Sequence, residues 1–562
     1  MKTKSRPRRR AAAPRILPAL FALLLFALAA PLLPGCGGRG DAPGTGDASP
    51  GVPAHGDAIV EGSIGDVSGF LTAVTTDSAS HGAAAYVFNG LVRYDKDLKL
   101  EGDLAESWDI SPDGKKITFH LRKNVKWHDG APFTSEDVLF TYRKMIDPKT
   151  PTAYGEDFRQ VRRAHAPDPH TFVAEYDRPF APALASWGMH ILPKHLLEGH
   201  PDISKSPLNK KPVGTGPYRF AEWKTGEKTV FDAYADYHEG KPYIARVVTR
   251  VIPDLATMFL ELKSGGLDLM NLTPLQRTRQ TETKQFRKSF NKYQYLSSGY
   301  TYLGFRLSHP YFKEKKVRQA IAYAVNKKEI IEGVLFGLGQ EATGPFKPGT
   351  WPYNPDVKRY PHDPAKAKEL LAEAGWKPGG RDGVLVKDGR RFEFTLLTNA
   401  GNESRAKTAA ILQQNLAAVG IKMEIRTLEW AAFINEFVKK RKFDALILGW
   451  SITPDPDQYD IWHSSKTGPD ELNHVGYANP EVDRLLEEGR RTFDIEGRKK
   501  AYSRIQEILA EEQPLVFLYY PDALPAVHKR IRGIVPAPAG ISYNFIQWYV
   551  PKGEQRYTTF QQ

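Results

Sequence analysis

Ser404-Arg405-Ala406-Lys407 has the Ser-x-x-Lys form of a serine nucleophile beside a lysine, and Lys466-Thr467-Gly468 has the Lys-Thr-Gly form that accompanies it in penicillin-recognising enzymes. The Ser-x-Asn element is absent between them. Two matches this short arise readily by chance in 562 residues, and Ser404 is expected to cap the helix it opens. The 15 histidines form no His-Glu-x-x-His and no His-x-His beside a carboxylate, so no metal site is expected. Gly-x-Gly-x-x-Gly, a Walker loop and a Gly-x-Ser-x-Gly elbow are also missing. His128, in Trp127-His128-Asp129-Gly130, reads as a turn histidine at a strand end. With no machinery for bond making and no cofactor implied, the remaining chemistry is binding.

A single thiol, Cys36, excludes intramolecular disulfides and clusters of thiolate ligands. Its surroundings suggest a different use. Met1 to Arg15 is basic, and Ile16 to Leu33 is an uncharged apolar run that ends in Leu33-Pro34-Gly35-Cys36. This is the layout of an export signal over 1–35. It resembles a bacterial lipobox, which would acylate Cys36 and cut before it; Pro34 departs from the usual middle position. An uncleaved anchor is the alternative, since the apolar run is just long enough to span a bilayer. Residues 36–57 are rich in Gly, Pro and Ala without an aromatic, and read as a disordered tether reaching roughly 25 Å.

The charge balance of +13 points first to nucleic acid. Seven lysines and arginines within the first 15 residues, with no acid among them, reduce the surplus beyond Gly35 to +6. No basic block with interleaved aromatics remains, so no nucleic-acid partner is expected. A composition of 41% hydrophobic, 11% aromatic and 25% charged residues is that of a folded chain, and its length requires more than one domain.

Strands are expected at Ile117 to Leu121, Phe172 to Tyr176, Ile421 to Arg426 and Phe443 to Leu448. Helices are expected over Lys315 to Val334, Ala365 to Ala374 and Arg405 to Val419. Asp363-Pro364 and Gly375 supply start and stop signals for the second of these. Helix closely followed by strand makes the fold class α/β. Breaks fall at Pro201 to Pro212, Asn291 to Ser298 and Glu511 to Pro521.

Several motifs then follow one another in order. Leu104-Ala105-Glu106-Ser107-Trp108, Ser111-Pro112-Asp113-Gly114, Val125-Lys126-Trp127-His128-Asp129-Gly130 and Phe133-Thr134-Ser135-Glu136-Asp137-Val138 come first. Gly214-Thr215-Gly216-Pro217-Tyr218, Val317-Arg318-Gln319-Ala320-Ile321, Gly449-Trp450 with Asp455-Pro456-Asp457, and Asn479-Pro480-Glu481-Val482-Asp483 continue the series. On these motifs the chain resembles the family 5 extracytoplasmic solute-binding proteins, the peptide-, dipeptide- and nickel-binding components of ABC importers. The resemblance covers nearly all of Ile59 to Tyr549. It implies a type II periplasmic-binding-protein-like fold of two hinged lobes with an extra inserted domain. Lobe one would comprise 58–79, 213–297 and 522–562, the insert 80–212, and lobe two 298–521.

The resemblance also implies a site. Ligand backbone would lie along the strand end Gly449-Trp450-Ser451, an instance of strand addition, with Trp450 and Trp430 as flat walls or as simple core packing. Thr453 stands where the peptide class has an aspartate for the ligand's ammonium. Either Asp455 takes that role or the ligand is not held by a free amino terminus; Asp455 and Asp457 read equally as turn residues. Thr76 and Ser78 match a loop facing ligand, and Asn271 matches a strand end across the cleft. The expected function is a lipid-anchored, extracytoplasmic, monomeric receptor that delivers peptides to an ABC permease and its ATPases. The alternatives are a receptor for a nickel chelate, an opine or an oligosaccharide, and a sensor or chaperone using the same cleft.

Overall fold

The computed structural model describes residues 51–379 and 381–557. The export signal, Cys36 and all but the end of the tether lie outside the described residues.

Two mixed sheets organise the chain. The first runs in the order Phe290–Lys292, Pro525–His528, Leu269–Asn271, Gly56–Ser63, Ile244–Val251, Lys228–Ala233, Tyr218–Lys224. Gly56–Ser63 is parallel to both of its neighbours, and the outer pairs are antiparallel. The second runs Tyr295–Leu296, Leu515–Ala523, Gly299–Phe305, Ala445–Ser451, Glu393–Asn399, Lys422–Leu428. Ala445–Ser451 is apolar throughout its first half because it is covered on both faces: Ala445 and Ile447 enter one core, Leu446 and Leu448 another.

The sheets are joined by two crossings that lie side by side. Asn291 and Lys292 pair with Val527 and Ala526 in the first sheet, while Tyr295 and Leu296 pair with Ala523 and Asp522 in the second. Between these pairs Tyr293 N–H donates to the Pro525 carbonyl at 2.9 Å. The connection is therefore a two-stranded antiparallel ribbon. A buried Arg530 ties the chain ends together, donating from Nε to Asp268 at 2.8 Å, from Nη2 to the Ala58 carbonyl at 2.7 Å and from Nη1 to Asp57.

Between Gly56–Ser63 and Tyr218–Lys224 the chain forms a separate four-stranded antiparallel sheet, Ala105–Ile110, Lys116–Leu121, Thr171–Tyr176, Val161–Asp168, with the helix Ser135–Ile146 beside it. Its motif residues are structural. Asp137 accepts from the backbone N–H of Thr134 and Lys194 and from the Trp127 indole. His128 bonds the Gly216 carbonyl at 2.9 Å, and its other ring nitrogen accepts from Gly214 N–H at 3.3 Å. It is a turn histidine that fastens the insert to the first lobe. Gly214 must be glycine: a Cβ there would lie 1.9 Å from the Val87 carbonyl oxygen.

The expected helix over Lys315 to Val334 is two helices, Lys315–Ala324 and Lys327–Gly333. Asn326 interrupts it by capping the second, accepting from Glu329 N–H while its own N–H donates to Asn415.

Candidate functional site

Between the two sheets lies a cavity of about 440 Å³. Ser63, Asn271 and Thr273 line it from the first sheet, and Thr301, Ser404, Arg405 and Tyr519 from the second. Arg405 dominates its chemistry. The residue stands in the first turn of the helix Glu403–Ala417, where Asn402 caps the helix by accepting from Arg405 N–H at 2.9 Å. Nη1 donates to Asn399 Oδ1 at 2.7 Å. Among the described residues the guanidinium has no carboxylate partner, and burial pulls it below its ordinary pKa, with Tyr519 and Tyr302 opposing. A desolvated cation that faces the cavity can receive an anion, and the lining also holds one carboxylate, that of Asp522.

Gly449 sits against this group. A Cβ on it would lie 3.2 Å from Arg405 Nη2 and 3.0 Å from the Tyr300 carbonyl oxygen. Its lack of a side chain therefore leaves room for the guanidinium against the strand. Trp450, the next residue, faces the opposite side of the sheet because side chains alternate along a strand. Its ring stacks on His474 with centroids 5.5 Å apart and planes 9° apart, and it packs on the second lobe's own core. His474 is neutral, since burial holds its imidazole down to about 3. Trp450 is thus a packing residue here rather than a wall of the cavity.

Trp430 lies across the lobes. A Cβ on Gly65, in the loop after the first strand, would be 2.9 Å from its Cδ1. Gly401 similarly approaches the Pro253 carbonyl, 2.2 Å from where its Cβ would stand. The two lobes therefore touch at Gly65 and at Gly401.

Of the remaining expected residues Asn271 lines the cavity, and the others lie elsewhere. Ser451 is exposed at the strand end, and the Thr453 hydroxyl donates to the Asp455 carbonyl at 2.9 Å. Asp455 has no free carboxylate for a ligand ammonium, because Arg498 holds it with two bonds of 2.8 and 3.0 Å. It also accepts from Asp457 N–H, as a turn residue does. Asp455 borders a second hollow of about 470 Å³ between the insert and the second lobe, together with Tyr94, Phe180, Trp351 and Ile495. Thr76 is half-buried and Ser78 exposed; between them Asp77 is buried and caps the helix Ser78–Val87.

The Ser-x-x-Lys match dissolves in the structure. Lys407 pairs at the surface with Glu403, and Asn402 rather than Ser404 is the cap. Arg405 itself carried no sequence signal, because an arginine in an amphipathic helix ordinarily faces water. No helix among the described residues is long and apolar enough to cross a membrane.

The family model for bacterial extracellular solute-binding proteins, family 5, matches residues 99–471. The oligopeptide-binding protein AppA of Bacillus subtilis strain 168 is 34% identical over 545 residues, covering 95% of this chain and 99% of that protein. The structure of that protein in complex with a nonapeptide superposes with a TM-score of 0.85 at 33% identity, covering 89% of this chain and all of the other. NikZ from Campylobacter jejuni in complex with Ni(L-His) superposes with a TM-score of 0.79 at 29% identity, over 88% and 99% of the two chains.

Proposed function

We propose that this chain, which belongs to the family 5 bacterial extracellular solute-binding proteins, captures peptides in the interlobe cavity and hands them to an ABC importer. The observation that carries this reading is Arg405, a desolvated cation at the cavity with no carboxylate partner among the described residues, packed against Gly449 of the strand end. A peptide supplies both complements, a terminal carboxylate for the guanidinium and main-chain groups for the strand end. The likeness to an oligopeptide-binding protein over nearly the whole chain supports the same ligand class. The lobes would be 58–79, 213–297 and 522–562 against 298–521, with 80–212 as the insert. Cys36 would carry the lipid that tethers a monomeric receptor outside the cytoplasm, beside the permease and its ATPases.

A carboxylate-bearing metal chelate would meet the same cation, and the likeness to NikZ favours it as the second reading. A thermal-shift screen separates these readings. Peptide pools, amino-blocked peptides and nickel–histidine form its arms. Peptides are expected to raise the melting temperature, and a shift reduced by amino blocking would assign the ligand's ammonium to Asp522, which lines the cavity where Thr453 does not. A shift with nickel–histidine and none with any peptide would refute the peptide reading.

A further inference from the structure

The insert meets the second lobe through charges that take no part in the cavity. Arg490, 5% exposed at the end of the helix Pro480–Arg491, places Nη2 2.7 Å from Asp157 of the insert and 2.7 Å from Asp457 of its own lobe. The Ala181 N–H of the insert donates to the Arg490 carbonyl at 2.7 Å. Beside it Lys466, 3% exposed, stands 3.3 Å from Glu156 of the insert and 3.5 Å from both Asp460 and Glu471. Two buried cations thus face five carboxylates.

The neighbouring cations do not make up the deficit. Arg498 is held by Asp455, Arg159 reaches only Glu156, at 3.3 Å from the surface side, and Arg441, bonded to the Gly468 carbonyl, acts on Glu471 and not on Asp157 or Asp460. His463 is held below its ordinary pKa by burial. Tyr459, whose ring lies 4.0 Å from the Arg490 guanidinium carbon, and Tyr154, facing Asp460 and Asp77, are raised by burial and stay neutral. One oxygen each of Asp460 and Glu471 is buried without a hydrogen-bond partner.

We propose that Arg490, Asp157 and Asp460 form a clamp that couples closure of the insert onto the second lobe to uptake of protons, so that acid favours the closed receptor. The proposal rests on the closing cleft of the reading above and requires no particular ligand. Burial, reinforced by the other carboxylates, pushes Asp157 up to about 6 against Arg490 and the Ser186 hydroxyl that donates to it at 2.6 Å, and Asp460 up to about 7 against Arg490 and Lys466. Opening would return water to Asp157 on the insert and to part of Asp460. A carboxylate whose pKa is higher closed than open binds protons on closure. The closed form therefore gains as pH falls from about 7 towards about 4, and loses as pH rises. If both groups relaxed fully on opening, the closed-to-open ratio would rise about tenfold from pH 7 to pH 6. Asp460 keeps Lys466 within its own lobe, so a change of several-fold is expected.

Amide hydrogen exchange of the full chain without ligand tests this. The readout is protection of the Ala181 N–H, whose acceptor lies across the interface, corrected for the intrinsic rate between pH 5.5 and 8. The wild type is expected to lose protection several-fold as pH rises, and the Asp157→Asn/Asp460→Asn variant to stay protected at pH 8. The strand Gly299–Phe305 reports that folding is intact. A flat wild-type profile overturns the proposal, as does a folded double variant with the wild-type slope. Should the variant lose protection in that strand, the wild-type profile alone decides. Because no peptide is present, failure here is distinct from failure of the peptide reading.

Discussion

Replacing Arg405 by methionine should separate the fold from the binding function. The substitution keeps an unbranched apolar stem and removes the guanidinium. Among the described residues that group has one side-chain partner, Asn399 at 2.7 Å, and no carboxylate. Loss of the hydrogen bond costs about 1 kcal/mol, and relief of a desolvated charge offsets part of it. Unfolding free energy should therefore change by no more than about 2 kcal/mol in either direction. In the complex the same change leaves a ligand carboxylate buried without its cation, a loss of about 2–5 kcal/mol. That corresponds to roughly thirty-fold to a few thousand-fold in Kd. Isothermal titration with one peptide as free acid and as carboxy-terminal amide provides the assay. The wild type should prefer the acid, and Arg405→Met should bind both forms weakly and equally. Wild-type protein that binds acid and amide alike, or a variant within twofold of wild type for the acid, would refute the reasoning.

Two further substitutions test the frame that carries the site. Gly214→Ala places a methyl carbon 1.9 Å from the Val87 carbonyl; the backbone must move, and denaturant unfolding should show a loss of about 3 kcal/mol or more. Arg530→Met leaves Asp57 and Asp268 buried without their cation and should cost about 3–5 kcal/mol in the same measurement, or prevent folding.

The family and the α/β class were legible because they reside in local signals. Ile117 to Leu121 alternates as a strand should, Phe172 to Tyr176 is rich in strand-forming residues, and both are strands in the insert. For the motif Gly214-Thr215-Gly216 the structure supplies the reason, a close backbone approach against Val87. Less was legible of the site. Arg405 was in view inside a motif read for catalysis, but nothing in its neighbours announces that Asn399 and the second sheet will enclose it. Trp450 drew attention as a large aromatic beside glycine, yet strand alternation sends the two to opposite faces. Asp455 looked available because Arg498 is remote in sequence and joins it only through tertiary packing. The split of the Lys315 to Val334 helix has the same origin, since the amphipathic pattern runs across Asn326 and only its bond with Asn415 makes the break evident.

The paired crossings between the sheets have a mechanical consequence. With Lys292 and Ala526 knitted on one side and Leu296 and Asp522 on the other, neither thread can slide past its companion without breaking rungs. What stays soft is a swing about one spine, like the covers of a book. A bulkier guest would then be registered as a wider angle between the covers, leaving the weave within each cover undisturbed.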